Sequence, residues 1–302
     1  MDFAKRVVRI RNRRKGGMVE VDTSAPPEVV ASEHIVLKAD EEEGRIGAPR
    51  ASSLYQACMR MHVIGTKEET TKKSRISFKD KLIFGIGNAV HHWVQNDPTM
   101  FGDRRVGWWR CLACGTVAYF GTPPKVKCKQ CGALPSAFTY WEHTLHYETD
   151  ELVVTGHTDL FMLREPGDTC KVVEIKTISG DVFPTLKAPL IEHVWQATTY
   201  MWGCSNDLNI PIQIDDSLSY VFYVAKKNPS HSLPVKMFPV EKDPRLLSRV
   251  KTKLRSYKTG LKDYPKNLPM VLQPCADSNF GHYKARSCPT LKHCRRLHGR
   301  KL

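Results

Sequence analysis

The 302-residue sequence has no apolar run of 18 residues, and its first residues lack the apolar segment of a signal peptide. It also lacks internal repeats, low-complexity tracts and the Gly-x4-Gly-Lys-Ser/Thr loop with which helicases hold nucleotides. These absences argue against a membrane protein and against an ATP-driven helicase. We therefore expect a cytoplasmic protein, in the host cytoplasm if the chain is viral.

Acidic residues are scarce relative to basic ones. The chain has 46 lysines and arginines against 31 aspartates and glutamates, a net charge of +15 with a pI near 9.4. A charge of this size indicates a polyanionic partner, either nucleic acid or an anionic membrane surface. Because no apolar segment would reach a membrane, nucleic acid is the better interpretation. The length of 302 residues allows one large domain or two, and the hydrophobic fraction of 41% is ordinary for a globular protein.

The sequence contains ten cysteines, and in a reducing cytosol we expect metal ligands rather than disulfides. Two Cys-x2-Cys-Gly turns, thirteen residues apart, predict a structural Zn²⁺ site in a zinc ribbon, with ligands Cys111, Cys114, Cys128 and Cys131. The tryptophans and basic residues around them fit nucleic-acid contact, a solvated face or a docking surface equally well. Eight of the ten cysteines belong to a motif, whereas Cys170 and Cys204 belong to none and are predicted to be buried as small apolar residues.

Hydrophobic periodicity predicts helices, a metal insert, strands, a helix, strands and a helix in that order, which favours an α/β layer with a mixed sheet. The central feature is a pair of apolar, β-branched runs, 152–163 and 170–177, joined by a Pro-Gly turn at 164–168. Residues 7–11 alternate, as expected of an edge strand, a DNA-ordered arm or a solvated tail, and 17–48 are predicted to be loop and linker. Other predicted elements are helices at 51–60 (N-cap Ser52 or Ser53), 79–95, 189–204 and 244–261, and strands at 218–225 and 235–240.

Charged residues lie inside the predicted strand pair. Asp159 is a lone acid in the first run, and Glu174 and Lys176 lie in the second. Because side chains alternate along a strand, Glu174 and Lys176 share one face while Ile175 points into the core. A buried carboxylate needs a cation or a counter-charge, so two converging carboxylates beside a lysine predict a divalent-metal site for phosphodiester hydrolysis. A solvated strand face is the alternative.

The helix predicted at 79–95 contains Gly87 and, one turn later, His91. We interpret the glycine as allowing close packing of this helix on a neighbour. A histidine on a helix is more often structural than a ligand, and the adjacent His92 is a candidate for that structural role.

Three further cysteines lie in the basic C-terminal segment: Cys275, Cys288 and Cys294. An iron–sulfur cluster requires a fourth ligand. Cys58, in the first predicted helix, can supply it.

Six short motifs follow one another along the chain: Ser53-x4-Cys58-x-Arg60, Gly87-x3-His91, Gly156-x2-Asp159, Glu174-x-Lys176, Gln196-x3-Tyr200 and Cys288-x5-Cys294. None is specific alone, but in this order they resemble the PD-(D/E)XK nucleases of the RecB type. The similarity is greatest to the iron–sulfur branch, which includes AddB-like nucleases and the CRISPR-adaptation nucleases. It spans residues 50–300 apart from the predicted zinc ribbon, which is not a standard part of the family.

The resemblance implies an α/β fold with a mixed central sheet flanked by helices, and metal-dependent exonuclease activity on DNA ends or single strands. Its implied Mg²⁺ or Mn²⁺ ligands are His91, Asp159, Glu174 and the Ile175 carbonyl. Lys176 would be the catalytic lysine, and Gln196 and Tyr200 would contact or orient the DNA beside it. The implied ligands of a [4Fe–4S] cluster are Cys58, Cys275, Cys288 and Cys294.

The spacing of the C-terminal cysteines differs from that of the family. Twelve residues separate Cys275 from Cys288, more than the family usually has between its second and third cysteines. His282 is an alternative ligand to Cys275, and a zinc ion is an alternative to the cluster. We divide the chain into a basic arm and linker (1–48), an N-terminal helical part (49–106), the zinc ribbon (107–135), the nuclease core (136–270) and the C-terminal cysteine segment (271–302).

The expected setting is DNA recombination, repair or replication, with a helicase, a single-strand-binding protein or a recombination protein as partner. One alternative is a DNA-end-binding module or an adaptor without strong catalysis, which would dock through the zinc ribbon and the basic tail. Another is a structure-specific endonuclease. The complete set of acids favours an enzyme.

Overall fold

The computed structural model describes residues 7–11, 18–22, 40–76, 78–163, 165, 168–227 and 234–298. Its α-helices are α1 (Met59–Lys67), α2 (Phe78–Asn96), α3 (Ile191–Ser205), α4 (Pro244–Lys262), α5 (Gln273–Asp277), α6 (Tyr283–Arg286) and α7 (Leu291–His298). Its strands are β1 (Val7–Arg11), β2 (Met18–Asp22), β3 (Asp40–Arg45), β4 (Thr71–Ile76), β5 (Arg105–Cys111), β6 (Val117–Phe120), β7 (Phe138–Trp141), β8 (His143–Glu148), β9 (Val153–Thr158), β10 (Leu160–Met162), β11 (Lys171–Ile178), β12 (Leu218–Ala225) and β13 (Val235–Glu241). None of the helices described is long and apolar enough to cross a membrane.

A seven-stranded mixed sheet forms the centre of the fold, in the order β13-β12-β11-β10-β5-β6, with β7 also paired to β5. β11 and β12 are parallel and connected through α3, and the other pairs in this sheet are antiparallel. The parallel register places Glu174 opposite Val221 and Lys176 opposite Tyr223. The remaining ladders, β1–β2, β3–β4 and β8–β9, are separate antiparallel pairs.

Helices cover both faces of the central sheet. On one face, Val94 of α2 belongs to a buried cluster with Val173 and Ile175 of β11. On the other face, residues of α3 and α4 form a larger cluster that includes Val172. Alternation along β11 therefore turns Glu174 and Lys176 toward α3. Each fully buried apolar side chain contributes about 1.5–3 kcal/mol, so these two layers hold β11 firmly in place.

The first predicted helix differs from the structure. Helical structure begins at Ala51 as a 3-10 turn, and the α-helix starts only at Met59, with Cys58 as its N-cap. The predicted serine caps at 52 and 53 are wrong, because hydrogen bonds between residues three apart turn the chain through 51–57 before the α-helix begins.

The predicted linker at 17–48 also differs, since it contains β2 and β3. The acidic run that begins at Asp40 pairs with β4, and composition alone could not reveal this pairing. Residues 7–11 form the strand β1, one of the three alternatives for that stretch. Residue 17 and residues 23–39 of the predicted linker lie outside the described residues.

The predicted strand pair is confirmed for β10 and β11, which are antiparallel neighbours. Residues 164, 166 and 167 of the Pro-Gly turn lie outside the described residues. The first half of the first run, β9, pairs instead with β8. Helices and strands predicted at 79–95, 189–204, 218–225, 235–240 and 244–261 are present with small shifts at their ends.

The two Cys-x2-Cys turns lie within a compact unit, residues 105–141, which we call the four-cysteine module. Its first strand, β5, pairs with β10 of the central sheet at Val106 and continues into pairing with β6 and β7. The module is therefore an extension of the central sheet.

Candidate active site

Asp159 lies in the one-residue break between β9 and β10, and its side chain is buried. Its Oδ2 accepts a hydrogen bond of 2.7 Å from the backbone N–H of Ile175. This bond holds the carboxylate against β11. The acid of the first run therefore reaches the strand that carries Glu174 and Lys176.

Glu174 is buried to 1% exposure in the middle of β11. Its Oε1 accepts a hydrogen bond from Lys176 Nζ, whereas its Oε2 is buried without a hydrogen-bond partner among the described residues. A buried polar atom left unpaired costs about 1–3 kcal/mol, and more if it is charged. Such an atom marks a position where a cation is expected. The Lys176 side chain is 21% exposed, so the site opens to solvent on its side.

His91 of α2 points at the Asp159 carboxylate. Its Nδ1 lies 3.5 Å from Asp159 Oδ1. Gly87, one turn earlier, is not needed for close packing, because a Cβ there would lie 3.8 Å from Thr177 Oγ1, an ordinary contact. His92 faces the four-cysteine module instead, with its Nε2 3.3 Å from Thr139 Oγ1.

Two site residues were missed by the sequence analysis, Glu142 and Gln95. Glu142 follows β7 and presents a carboxylate oxygen to His91 and Asp159. Gln95 is buried, and its Nε2 donates to Glu142 Oε1 at 2.9 Å and to the Asp159 carbonyl at 2.8 Å. The only sequence signal for Glu142 is an acid between an aromatic strand and the next strand, which is a weak one.

The protonation of these groups follows from burial and from their mutual charges. Burial and the neighbouring Asp159 raise the pKa of Glu174 well above its ordinary value, against the effect of Lys176. Burial would raise the pKa of Asp159 as well, but the hydrogen bond and charge of His91 hold it below the ordinary value. Burial also raises the pKa of Glu142. For His91 and Lys176, burial favours the neutral form, but the carboxylates outweigh it and raise both pKa values. Without a cation, the site therefore favours the charged form of Asp159 and disfavours the charged form of Glu174.

Gln196 and Tyr200 lie on α3, buried beside the carboxylates. Gln196 hydrogen-bonds to the Tyr200 hydroxyl, and burial raises the pKa of that hydroxyl. The Tyr200 hydroxyl also lies against Gly156, where a Cβ would be only 2.6 Å away. The glycine of Gly156-x2-Asp159 therefore leaves room for the tyrosine of Gln196-x3-Tyr200.

These residues fit a divalent cation. His91, Glu142 and Asp159 each offer a ligand atom, and the three atoms lie within 4.8 Å of one another. Carboxylate oxygens are the preferred ligands of Mg²⁺ and Mn²⁺. Glu174, part of the predicted ligand set, adds the unpaired oxygen nearby. The Ile175 carbonyl as a further ligand stays a prediction.

The four-cysteine module brings its cysteines together, with every Sγ within 4.8 Å of the others. The Sγ atoms of Cys111 and Cys131 are 3.7 Å apart, and those of Cys114 and Cys128 are 3.8 Å apart. This cluster can hold a metal ion. The two remaining core cysteines, Cys170 and Cys204, are buried as predicted.

The two Cys-x2-Cys turns share one backbone design. Gly115 and Gly132 follow the second cysteine with positive φ of 78° and 74°. Their N–H groups donate to the carbonyl of the first cysteine at 2.7 and 2.8 Å, which closes each turn. In the first turn, hydrogen bonds from Thr116 lower the pKa of Cys114 to about 6, which favours the metal-binding thiolate.

A second cysteine group lines one small cavity of about 30 Å³: Cys58, Cys275, Cys288 and Cys294. Burial and, to a lesser degree, the other three thiols raise the pKa of Cys58 to about 11. The buried Arg60 hydrogen-bonds to Cys294. His282, the alternative ligand, does not line the cavity, and its Nδ1 accepts a hydrogen bond of 3.2 Å from the N–H of Lys284.

No protein-family profile and no curated protein matches the chain. Among solved structures, an alkaline exonuclease from Laribacter hongkongensis is similar to it with a TM-score of 0.41 and 14% sequence identity. The similarity covers 72% of this chain and 89% of that one. A similarity this low carries no functional argument.

Proposed function

We propose that the protein is a metal-dependent DNA nuclease of the PD-(D/E)XK type. The observation that supports this most is the buried carboxylate pair Asp159 and Glu174, with Lys176 bound to one Glu174 oxygen and the other oxygen unpaired. A core with only a structural role gains nothing from two adjacent acids of which one lacks a partner. A cation next to His91 would neutralise both.

Each residue of the site has a proposed part in hydrolysis. Mg²⁺ or Mn²⁺ held by the histidine and the carboxylates would polarise the phosphate and the attacking water. Asp159, fixed by the Ile175 N–H, supplies a rigid ligand. Lys176 has a raised pKa, so it remains charged and stabilises negative charge on the phosphate rather than removing a proton. Gln196 and Tyr200 are buried, so they would orient the DNA strand indirectly, by supporting the carboxylates beside it.

DNA is the proposed substrate because the net charge of +15 suits a phosphodiester backbone. Backbone contacts provide affinity without sequence preference, as an exonuclease acting on ends or single strands requires. The preference for exonuclease over endonuclease action rests on the resemblance to the iron–sulfur nucleases. Since the sequence has no helicase-type phosphate loop, a separate helicase or recombination protein would open duplex substrates.

The two cysteine groups are proposed to hold different metals. In the four-cysteine module the Sγ separations of 3.7 and 3.8 Å match a tetrahedron with Zn–S bonds of about 2.3 Å, whose edges are about 3.8 Å. At the C-terminal group we propose a [4Fe–4S] cluster, since the cavity is lined by four thiols and the positive Arg60 offsets the negative charge of such a cluster.

The test of the proposed activity is Lys176→Ala, with Lys242→Ala as control. Lys242 is an exposed lysine paired with Asp216, so its loss should leave cleavage unchanged. We expect Lys176→Ala and Asp159→Ala to reduce cleavage of linear DNA in Mn²⁺ by at least about 100-fold while most DNA binding remains. Full cleavage by either variant would reject this site. DNA binding without cleavage by the wild-type protein would support an end-binding module instead.

A further inference from the structure

The four-cysteine module is attached to α2 at the last turn of that helix, through β7. Asn96 Oδ1 accepts hydrogen bonds from the Tyr140 N–H at 2.7 Å and from Thr139 Oγ1 at 3.0 Å. The buried Tyr140 then donates its hydroxyl proton to the Val106 carbonyl at 3.0 Å and accepts from the Phe161 N–H at 3.0 Å. One tyrosine thus joins the module strand β7 to β5 and to β10 of the central sheet.

The backbone at Gly107, next to these hydrogen bonds, leaves room for the Tyr140 side chain. Gly107 has a φ of 141°, a conformation that side chains disfavour, and a Cβ there would lie 2.7 Å from the Tyr140 hydroxyl. No other residue type would leave the hydroxyl in this place. The position of β7, and of Glu142 that follows it, is therefore fixed relative to the central sheet.

Gln95 provides the second connection, directly at the metal site. Its Nε2 has two hydrogens, and it donates to Glu142 Oε1 and to the Asp159 carbonyl. Its own backbone carbonyl accepts a hydrogen bond of 2.7 Å from Arg105, the buried first residue of β5. His91 lies one turn earlier on the same face of α2. Gln95 is therefore connected to all three proposed metal ligands: it bonds to the Glu142 side chain and to the Asp159 backbone, and it shares α2 with His91.

We propose that the four-cysteine module is a positioning device for the active-site metal, and that Gln95 is the residue through which it acts. Folding of the module around its own cation fixes β5 and β7, which sets Glu142. Gln95 then holds Glu142 and the Asp159 backbone at one separation, with His91 alongside. Two carboxylates brought together repel, and the Gln95 amide opposes their separation by tying the Glu142 carboxylate to the backbone that carries Asp159. The inference rests on the proposed metal site, and it gives the module a role other than DNA contact.

The test measures Mn²⁺ affinity by calorimetry on the full chain, so that it does not depend on cleavage. The variants are Gln95→Leu, which removes both donated hydrogen bonds at similar volume, and Cys131→Ser, which removes one cysteine of the module. Controls are Gln273→Leu, an exposed glutamine of α5, and Lys129→Ala, an exposed residue between the cysteines of the second turn. Loss of a group that orients a metal ligand weakens metal affinity by roughly 10- to 100-fold, and we expect this for both variants and for neither control.

A second readout separates positioning from a general structural role. Mn²⁺ raises the unfolding temperature of a protein that binds it only when folded. We expect this increase to shrink in Gln95→Leu, whereas a merely structural role would lower the unfolding temperature equally with and without Mn²⁺. Gln95→Leu keeps all four module cysteines, so it decides the matter if Cys131→Ser does not fold.

The outcomes distinguish this inference from the proposed function. If Mn²⁺ binding is lost in Asp159→Ala but unchanged in folded Gln95→Leu, the metal site is supported and the positioning role is overturned. Wild-type protein that binds no Mn²⁺ would reject the proposed function itself, and the inference with it.

Discussion

At the scale of single residues, Glu174 links stability to function. It is almost fully buried, and Lys176 donates a hydrogen bond to its Oε1 while its Oε2 has no partner among the described residues. Burial and Asp159 raise its pKa above the ordinary 4.5. In the pH window between 4.5 and this raised pKa, the folded protein holds a proton that the unfolded chain has released. Because the folded state binds more protons there, the stability of the cation-free protein falls as the pH rises through the window.

We expect Glu174→Gln to abolish cleavage and to stabilise the cation-free protein at neutral pH by on the order of 1 kcal/mol, since the neutral amide avoids the cost of ionising a buried carboxyl and keeps nearly the same shape. The part of the fall in stability with rising pH that comes from Glu174 should disappear as well, while the parts from the raised pKa values of Glu142 and His91 remain. Thermal unfolding in EDTA, from mildly acidic to mildly alkaline pH, measures both effects. Asp216→Asn, an exposed acid paired with Lys242, is the control and should change little. A variant less stable than wild type at neutral pH would contradict the argument.

Individual site residues were predictable where the signal was local. Asp159, Glu174 and Lys176 stand out because a charge within an apolar, β-branched run is visible in the sequence. Glu142 and Gln95 were not predictable. Their roles depend on hydrogen bonds that form only after β7 meets the end of α2, and no local pattern encodes that meeting.

At the scale of elements, one contact joins β9 to α3. A Cβ at Gly156 would lie 2.6 Å from the Tyr200 hydroxyl oxygen and 2.7 Å from its Cε1. We expect Gly156→Ala to cost about 1–3 kcal/mol, because the buried tyrosine must shift. Tyr200→Phe removes the hydroxyl, so the double variant should lose less than the sum of the two single losses.

Denaturant unfolding of the four proteins in this double-mutant cycle gives the coupling energy. Gly47→Ala is the control, because no atom lies within 4 Å of a Cβ at that position. Additive losses in the cycle would show that the glycine and the tyrosine do not constrain each other.

Elements with strong local periodicity were predicted well, and strand pairing was not. α2, α4 and β12 were predicted to within a residue or two because each carries its own apolar pattern. The pairing of β9 with β8, and the double pairing of β5, depend on partners far along the chain. The prediction of the first helix was wrong for a related reason, since residues 51–57 lack a sequence pattern that distinguishes a 3-10 turn from an α-helix.

At the scale of the whole molecule, the second cysteine group joins the C-terminal segment to α1. Cys58 precedes α1, and the other three cysteines come from the short helices α5 and α7 and the segment before α7. The short helices bury few apolar residues of their own, with Phe280, Ala285 and Cys294 the buried ones in their cluster with Ile64. A metal group held by all four cysteines would therefore supply much of the stability of this segment.

We expect Cys294→Ser to release the C-terminal segment. A link between Cys58 and Cys275 closes a loop of about 200 residues, worth up to roughly 5 kcal/mol on the chain-entropy scale, or about 10 °C in unfolding temperature.

Cys204→Ala is the control, a buried cysteine outside both groups that should cost about 1 kcal/mol and leave the metal content unchanged. Metal analysis of protein purified without oxygen accompanies the melting curves. Loss of iron with the fall in unfolding temperature supports a cluster, whereas loss of zinc alone replaces it with a second zinc site. An unchanged unfolding temperature contradicts the proposed link between the two ends of the chain.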